Sequence, residues 1–186
     1  LQERLRETAC AMALRRRPAL LVSECVKSPM VIGLLRPKLV LPPEDYGDQE
    51  LNFILRHELT HCRRGDLWYK LLLLAANGVH WFNPLAYLLV REASKDLELT
   101  CDDAVVAGAD RETRRAYSET LLASLHRQGG AALALSTHFY GGAKTMKERF
   151  QNILTGSGRK RGIAVLCAVL LLLAAVGLGV ALTEEK

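Results

Sequence analysis

Three hydrophobic rhythms follow one another along the chain. Residues 19–26 and 30–35 are short β-prone runs, and 38–41 follows across Arg36-Pro37 before Pro42-Pro43 stops it. Proline donates no ladder hydrogen bond, so punctuation this dense predicts a small sheet or hairpin with an exposed edge. From residue 48 the rhythm becomes helical. Leu51, Ile54, Leu55 and Leu59 recur at three- and four-residue spacing, which predicts one amphipathic helix from an Asp48 N-cap through Arg63. Gly65-Asp66 breaks it, and the very apolar stretch 67–79 predicts a buried helix. Asn83-Pro84 offers an N-cap and a first-turn proline, so a further helix should run from there through Glu98 to Val106. Residues 111–127, with Tyr117, Leu121, Leu122 and Leu125 on one side, predict another amphipathic helix, and 145–154 a short one. The charged stretch 1–17, ending in Arg15-Arg16-Arg17-Pro18, is expected to be a helix leaving a membrane anchor upstream.

The third rhythm has no polar face. Residues 163–182 carry no charge, and 20 residues is about the length a helix needs to cross a hydrocarbon core of about 30 Å. Arg159-Lys160-Arg161 precedes this stretch, whereas Glu184-Glu185 and one lysine follow it, so the residues before 159 are expected on the cytoplasmic side. The expected organisation is a juxtamembrane helix (1–18), a folded domain (19–155), a basic linker (156–162) containing Gly156-Ser157-Gly158, a transmembrane helix (163–182) and the start of an extracytoplasmic region (183–186). At 186 residues there is room for one domain with a real core plus appendages. The fold class expected is α+β, mainly helical, with a small sheet or hairpin.

A net charge of +5 permits contact with anionic lipid or nucleic acid, but the basic residues are scattered or sit beside apolar segments. No zinc finger, basic recognition helix or aromatic-studded sheet is present, so a lipid bilayer is the expected partner and direct nucleic-acid binding is not. Five cysteines, with no C-x-x-C pair, are expected to be reduced and mostly buried thiols of a cytosolic domain.

The chemistry lies on the 48–63 helix. His57-Glu58-Leu59-Thr60-His61 matches H-E-x-x-H. Residues four apart share a helix face, so both imidazoles can bind one Zn2+ while Glu58 reaches the water beside it. Zinc lowers the pKa of that water to about 7 and polarises the scissile carbonyl, and Glu58 is the general base that later protonates the leaving amine. The expected activity is peptide-bond hydrolysis in a zincin-like domain. A catalytic zinc also needs a third protein ligand. Glu98 is one candidate, with Asp102 one turn later on the same face suited to orient it. Glu92, Asp96 and Asp102 are rival ligands on the same helix.

Taken together, His57 through His61, Arg64-Gly65-Asp66-Leu67, Val79-His80-Trp81-Phe82-Asn83-Pro84-Leu85 and Glu98-Leu99-Thr100-Cys101-Asp102-Asp103-Ala104-Val105 resemble the BlaR/MecR family of antirepressor metallopeptidases. The resemblance extends to Ser28-Pro29 through Gly33 and Pro37-Lys38 through Pro42, and so covers most of 19–155. It favours Glu98 as third ligand and Asp102 as its helper. It implies a bacterial membrane sensor-transducer whose cytoplasmic zinc domain answers an extracytoplasmic signal such as a β-lactam by cutting itself, a transcriptional repressor, or both. Family members usually carry Glu where Asp103 stands and an aromatic residue in the 30–32 strand. A more distant resemblance is to the HtpX/Ste24 type of membrane quality-control peptidase. A zinc-stabilised signalling module without turnover is a third reading, against which Glu58 argues, because a structural site needs no base.

Three further positions bear on mechanism. His80, at the junction of two helices, either donates to the transition state from the edge of the cleft or caps its helix beside Trp81. The strand from Met30 can offer its edge to an extended peptide beside the metal. Ser136-Thr137-His138-Phe139-Tyr140, flanked by glycine and lying between helices, is a candidate self-cleavage segment. The sequence allows a homodimer without specifying one.

Overall fold

A computed structural model describes residues 1–127 and 143–156. The helical rhythm that begins at residue 48 becomes the helix around which the other elements are arranged. In chain order the elements are α1 (Gln2–Ala11), β1 (Ala19–Val22), β2 (Met30–Ile32), β3 (Lys38–Leu41), α2 (Asp48–Arg64), α3 (Asp66–Val79), α4 (Pro84–Val105), α5 (Arg111–Arg127) and α6 (Ala143–Thr155). The architecture is mainly helical α+β with one three-stranded sheet, as the pattern of runs suggested.

Helix α2 is buried on two faces. Leu51, Leu55 and Leu59 recur every fourth residue and face the sheet, packing with Leu5 and Ala9 of α1 and with Val31, Leu39 and Leu41. Leu59 has no exposed surface, and truncating such a residue to alanine costs about 2–5 kcal/mol. Phe53 belongs to the second stripe and joins Val105, Val106, Tyr117 and Ile153 in a separate cluster. His57 and His61 lie four and eight residues after Phe53 on that same stripe, which therefore carries them into the interior.

In the sheet the order is β1-β3-β2. β3 runs parallel to β1 (Ala19 opposite Lys38) and antiparallel to β2 (Met30 opposite Val40). The predicted hairpin is thus β2–β3, and β1 is an exposed edge. The hairpin turns through Gly33 at φ +89°, where an added Cβ would lie 2.7 Å from the Arg36 carbonyl oxygen. Only glycine fits there without a shift of the chain.

Several boundaries differ from the sequence expectation for local reasons. Helix α1 stops at Ala11 because Ala13 is left-handed (φ 52°) and Leu14 N–H bonds back to the Ala9 carbonyl, a Schellman-type end. Strands β1 and β2 end at Val22 and Ile32, short of the apolar runs that contain them. Gly47, not Asp48, is the N-cap of α2, and the Asp48 carboxylate, in the first turn, pairs with Arg4 at 2.9 Å. Asn83 does cap α4, its Oδ1 accepting from Leu85 N–H at 3.0 Å.

The largest departure is α3. The run 67–79 is helical but not buried: Leu67 and Leu73 are covered, while Trp68, Leu72 and Val79 are exposed. The thiols also differ, since Cys10 and Cys25 are exposed, Cys62 is half-buried and only Cys101 among the described cysteines is buried. Among the described residues no helix is long and apolar enough to cross a membrane. The predicted span 163–182, its basic linker from 157 and the segment 136–140 lie outside the described residues.

Candidate metal centre

Gly65 ends α2 in a left-handed turn (φ 70°) from which α3 begins, and α4 packs against both helices. This arrangement brings His57 and His61 of α2 to Glu98 of α4. The two Nε2 atoms are 3.3 Å apart. Glu98 Oε2 lies 3.5 Å from His57 Nε2, and Oε1 lies 3.8 Å from His61 Nε2. Three donors around a tetrahedral ion at about 2.0–2.1 Å stand about 3.3–3.4 Å from one another, so the spacing suits one cation. All three residues are buried. Glu98 Oε1 is buried without a hydrogen-bond partner, and an orphaned carboxylate oxygen facing an imidazole is what a metal ligand presents before coordination is counted.

Each imidazole is held through its far nitrogen. His61 Nδ1 lies 2.7 Å from Asp66 Oδ2, and Asp66 is the first residue of α3, placed there by the Gly65 turn. His57 Nδ1 lies 2.8 Å from the Tyr117 hydroxyl, which in turn donates to Asp102 Oδ1 at 2.7 Å. An Nδ1–H donated to these oxygens leaves the Nε2 lone pair of each ring pointing at the other and at Glu98. Arg149 of α6 closes the chain, giving Nε and Nη2 to the two oxygens of Asp102 at 2.7 and 2.8 Å, while its Nη1 lies 3.5 Å from Glu98 Oε2.

The charges follow from this geometry. Burial alone would lower the His57 pKa, but the hydrogen bonds to Asp102 and Glu98 outweigh it and raise it to about 9. Burial works against the Asp102 carboxylate, yet Arg149 and His57 hold it down at about 2. Glu98 is likewise held well below the carboxylate range despite its burial, by His57, His61 and Arg149. A site that keeps its carboxylates ionised and draws positive charge onto a histidine is one that favours a cation.

Glu58, next to His57 in sequence, is 4% exposed, and its charge acts on Cys62, Lys70 and Cys101. Lys70 is buried with Nζ 3.9 Å from Glu98 Oε1, and burial lowers its pKa against the pull of Glu98, Glu58 and Asp66. A second group, His61, Asp66 and Cys101, has only His61 in common with the first. There His61 Nδ1 is already engaged by Asp66, and burial raises the Cys101 thiol pKa strongly, so Cys101 packs against the pair as a thiol.

Sequence and structure part at two positions. Asp102 was expected to orient Glu98, but its carboxylate faces Tyr117, Arg149 and His57, so its partner in the site is His57. His80 is exposed, with Nδ1 3.0 Å from the Ala76 carbonyl. It lies 14 residues along α3 from Asp66, about 21 Å at 1.5 Å per residue, and is not brought to the cluster. Of the rival ligands, Glu92 is exposed and pairs with Lys95, and Asp96 is exposed. Four site residues carried no prior assignment: Asp66, Lys70, Tyr117 and Arg149. A lone lysine inside an apolar run was a signal for Lys70, and Tyr117 on an apolar stripe was a weaker one. Arg149 had none.

A cavity of about 730 Å³ reaches His61 of the cluster and is lined also by Val31 of β2, by Gly33 and Leu34 after it, and by Trp68.

The family model described as BlaR1 peptidase M56 matches residues 1–153. The regulatory protein BlaR1 of Bacillus licheniformis is 32% identical over 135 residues, covering 71% of this chain and 22% of that protein. The methicillin resistance mecR1 protein of Staphylococcus aureus is 27% identical over 175 residues, 88% of this chain and 30% of that protein. The regulatory protein BlaR1 of Staphylococcus aureus is 21% identical over 148 residues, 77% and 25% respectively. The chain thus spans less than a third of the length of these relatives. With the family model covering all of the helices and strands that carry the His57, His61 and Glu98 cluster, this chain belongs to the BlaR1 peptidase M56 family.

Proposed function

We propose that the chain is a zinc endopeptidase of signal transduction, anchored in the bacterial membrane by residues 163–182 with its metal centre on the cytoplasmic side. The observation that carries this reading is the triangle of His57 Nε2, His61 Nε2 and the hydrogen-bond-free Glu98 Oε1. His57, His61 and Glu98 would hold the ion, leaving a coordination position for water or substrate. When bound, zinc supplies Lewis-acid polarisation of the scissile carbonyl and acidifies water.

The remaining steps belong to the chain's own residues. Glu58 takes the proton of the attacking water on its carboxylate and delivers it to the nitrogen of the leaving amine. Asp66 and Tyr117 fix the imidazole tautomers, and Arg149 keeps Asp102 ionised beside His57. The cavity that reaches from Val31 and the β2–β3 turn to His61 offers room for an extended substrate beside the metal centre.

On this reading the substrate is the chain itself within Ser136–Tyr140, a transcriptional repressor, or both, cut in response to an extracytoplasmic signal such as a β-lactam. The names of the relatives, a regulatory protein and a methicillin resistance protein, support a signalling role over quality control.

Glu58→Gln tests the reading. It spares all three ligands and removes the base, so zinc should stay bound at the wild-type stoichiometry while peptide cleavage falls by about 10²-fold or more. Metal analysis and a cleavage assay on one preparation decide it, and undiminished cleavage overturns the mechanism.

A further inference from the structure

The apolar residues of α3 and α4 are distributed in a way no folding core explains. Leu72, Val79, Trp81, Phe82, Leu85 and Leu89 are each between 59% and 71% exposed. Residues 71–90 hold no Asp, Glu, Lys or Arg, and charges stand directly at both ends, Lys70 and Arg91. The two helices pack on each other and meet at the turn His80–Asn83, so the uncharged stretch is an antiparallel hairpin whose outer half covers nothing among the described residues. Contiguous apolar surface of this kind marks an interaction site.

Three features select lipid as the occupant. The first is length: residues 71–79 rise about 14 Å and 84–90 about 10 Å at 1.5 Å per residue, enough to enter one leaflet of a hydrocarbon core of about 30 Å and too little to cross it.

The second is how the turn uses its polar groups. His80 N–H and His80 Nδ1 both engage the Ala76 carbonyl, Asn83 N–H bonds the His80 carbonyl at 2.8 Å, and the Tyr87 hydroxyl donates to the Trp81 carbonyl at 2.8 Å. Asn83 closes the set, its Oδ1 accepting from Leu85 N–H and its carbonyl from Ala86 N–H. Each bond made within the turn leaves one group fewer to be met by hydrocarbon, which offers no partners.

The third is the base of the hairpin, where Trp68 lines one cavity with Arg15, Arg16 and Arg63. An aromatic ring among arginines is the composition of the headgroup layer.

We propose that the α3–α4 hairpin is a membrane insert: the tip around Trp81 and Phe82 enters the acyl chains of one phospholipid leaflet, and Trp68 with Arg15, Arg16 and Arg63 rests at the headgroups. It inserts from one face and returns, separately from any span at 163–182. The inference stands on the hairpin's own surface and does not require the peptidase reading. Its consequence for that reading is positional. Asp66, the first residue of α3, is bonded to His61, so the hairpin's docking fixes the metal centre just below the bilayer surface, within reach of membrane-proximal peptide.

The chain's two tryptophans, Trp68 and Trp81, both lie on the hairpin, and the apolar stretch 163–182 has none. The full chain is reconstituted into phosphatidylcholine–phosphatidylglycerol vesicles as Trp68→Phe, which leaves Trp81, and as Trp81→Phe, which leaves Trp68. Fluorescence quenching is then measured with lipids brominated either deep in the acyl chain or near the glycerol. Trp81 should emit to the blue and be quenched most by the deep bromines, and Trp68 most by the shallow ones. Leu85→Glu in the Trp68→Phe chain should shift Trp81 toward the aqueous signal. The proposal is overturned if aqueous iodide quenches Trp81 as it does free tryptophan. It is equally overturned if Trp81 is shielded from iodide yet insensitive to every bromolipid, for then a protein surface, from this chain or a second copy, covers the tip.

Discussion

Asp66 Oδ2 lies 2.7 Å from His61 Nδ1, across the single left-handed residue Gly65 that separates their helices. The carboxylate fixes which nitrogen of His61 carries the proton and so which nitrogen faces the cluster. Partners of this kind typically contribute 10–100-fold to metal affinity. Asp66→Asn is therefore expected to weaken zinc binding by about 10–100-fold with the fold intact, measured by competition with a chromophoric chelator alongside circular dichroism. Unchanged affinity would place Asp66 outside the metal's support.

Arg149 and Asp102 form a buried, bidentate pair at 2.7 and 2.8 Å, 47 residues apart in sequence. Removing one partner of such a pair strands the other's charge in the interior at a cost of about 3–5 kcal/mol. Arg149→Met should destabilise the domain by about that amount, and adding Asp102→Asn should restore a large part of it by removing the stranded charge. Urea unfolding of the single and double variants in detergent provides the comparison. A double variant weaker than Arg149→Met alone would exclude the pair as the source of the loss.

Much of this centre was legible because helical spacing transmits directly to space. His57 and His61 share a face by their four-residue separation, and α2 formed where its apolar stripe required. Glu98 could be ranked first among the acids of α4 only with the help of a resemblance, since periodicity alone leaves Glu92, Asp96 and Asp102 in contention. Arg149 could not be found at all: its role depends on α6 meeting α4, a contact between segments with no local sequence signature. The exposure of α3, against the burial its apolar run predicts, has a physical reason. An apolar run states that a segment avoids water, and does not state whether protein or another apolar medium receives it.

Self-cleavage within Ser136–Tyr140 is expected to depend on the same base as cleavage of any other substrate. Wild-type chain incubated with zinc should develop a new terminus between Ser136 and Gly142, and Glu58→Gln should not. Mass mapping of fragment ends distinguishes the outcomes, and a terminus common to both forms would point to a contaminating protease.

The pH dependence of stability should have two limbs, only one of which responds to metal. Asp102 is held at about 2, below its ordinary 3.8, because Arg149 overcomes the effect of burial. The unfolded chain therefore takes up that proton first, and the stabilisation is complete above about pH 4 and lost as pH falls toward about 2, a contribution of ~2 kcal/mol. His57 shifts the other way: burial is outweighed by Asp102 and Glu98, and its pKa rises from 6.5 to about 9. In chelated protein that stabilisation is present below about pH 6.5 and lost as pH climbs through about 9. A bound cation takes the place of the proton on the imidazole, so zinc should flatten the alkaline limb and leave the acid limb unchanged. Urea midpoints across the pH range, with EDTA and with excess zinc, test both limbs together. An alkaline limb that survives zinc would show that His57 keeps its proton and does not bind the ion.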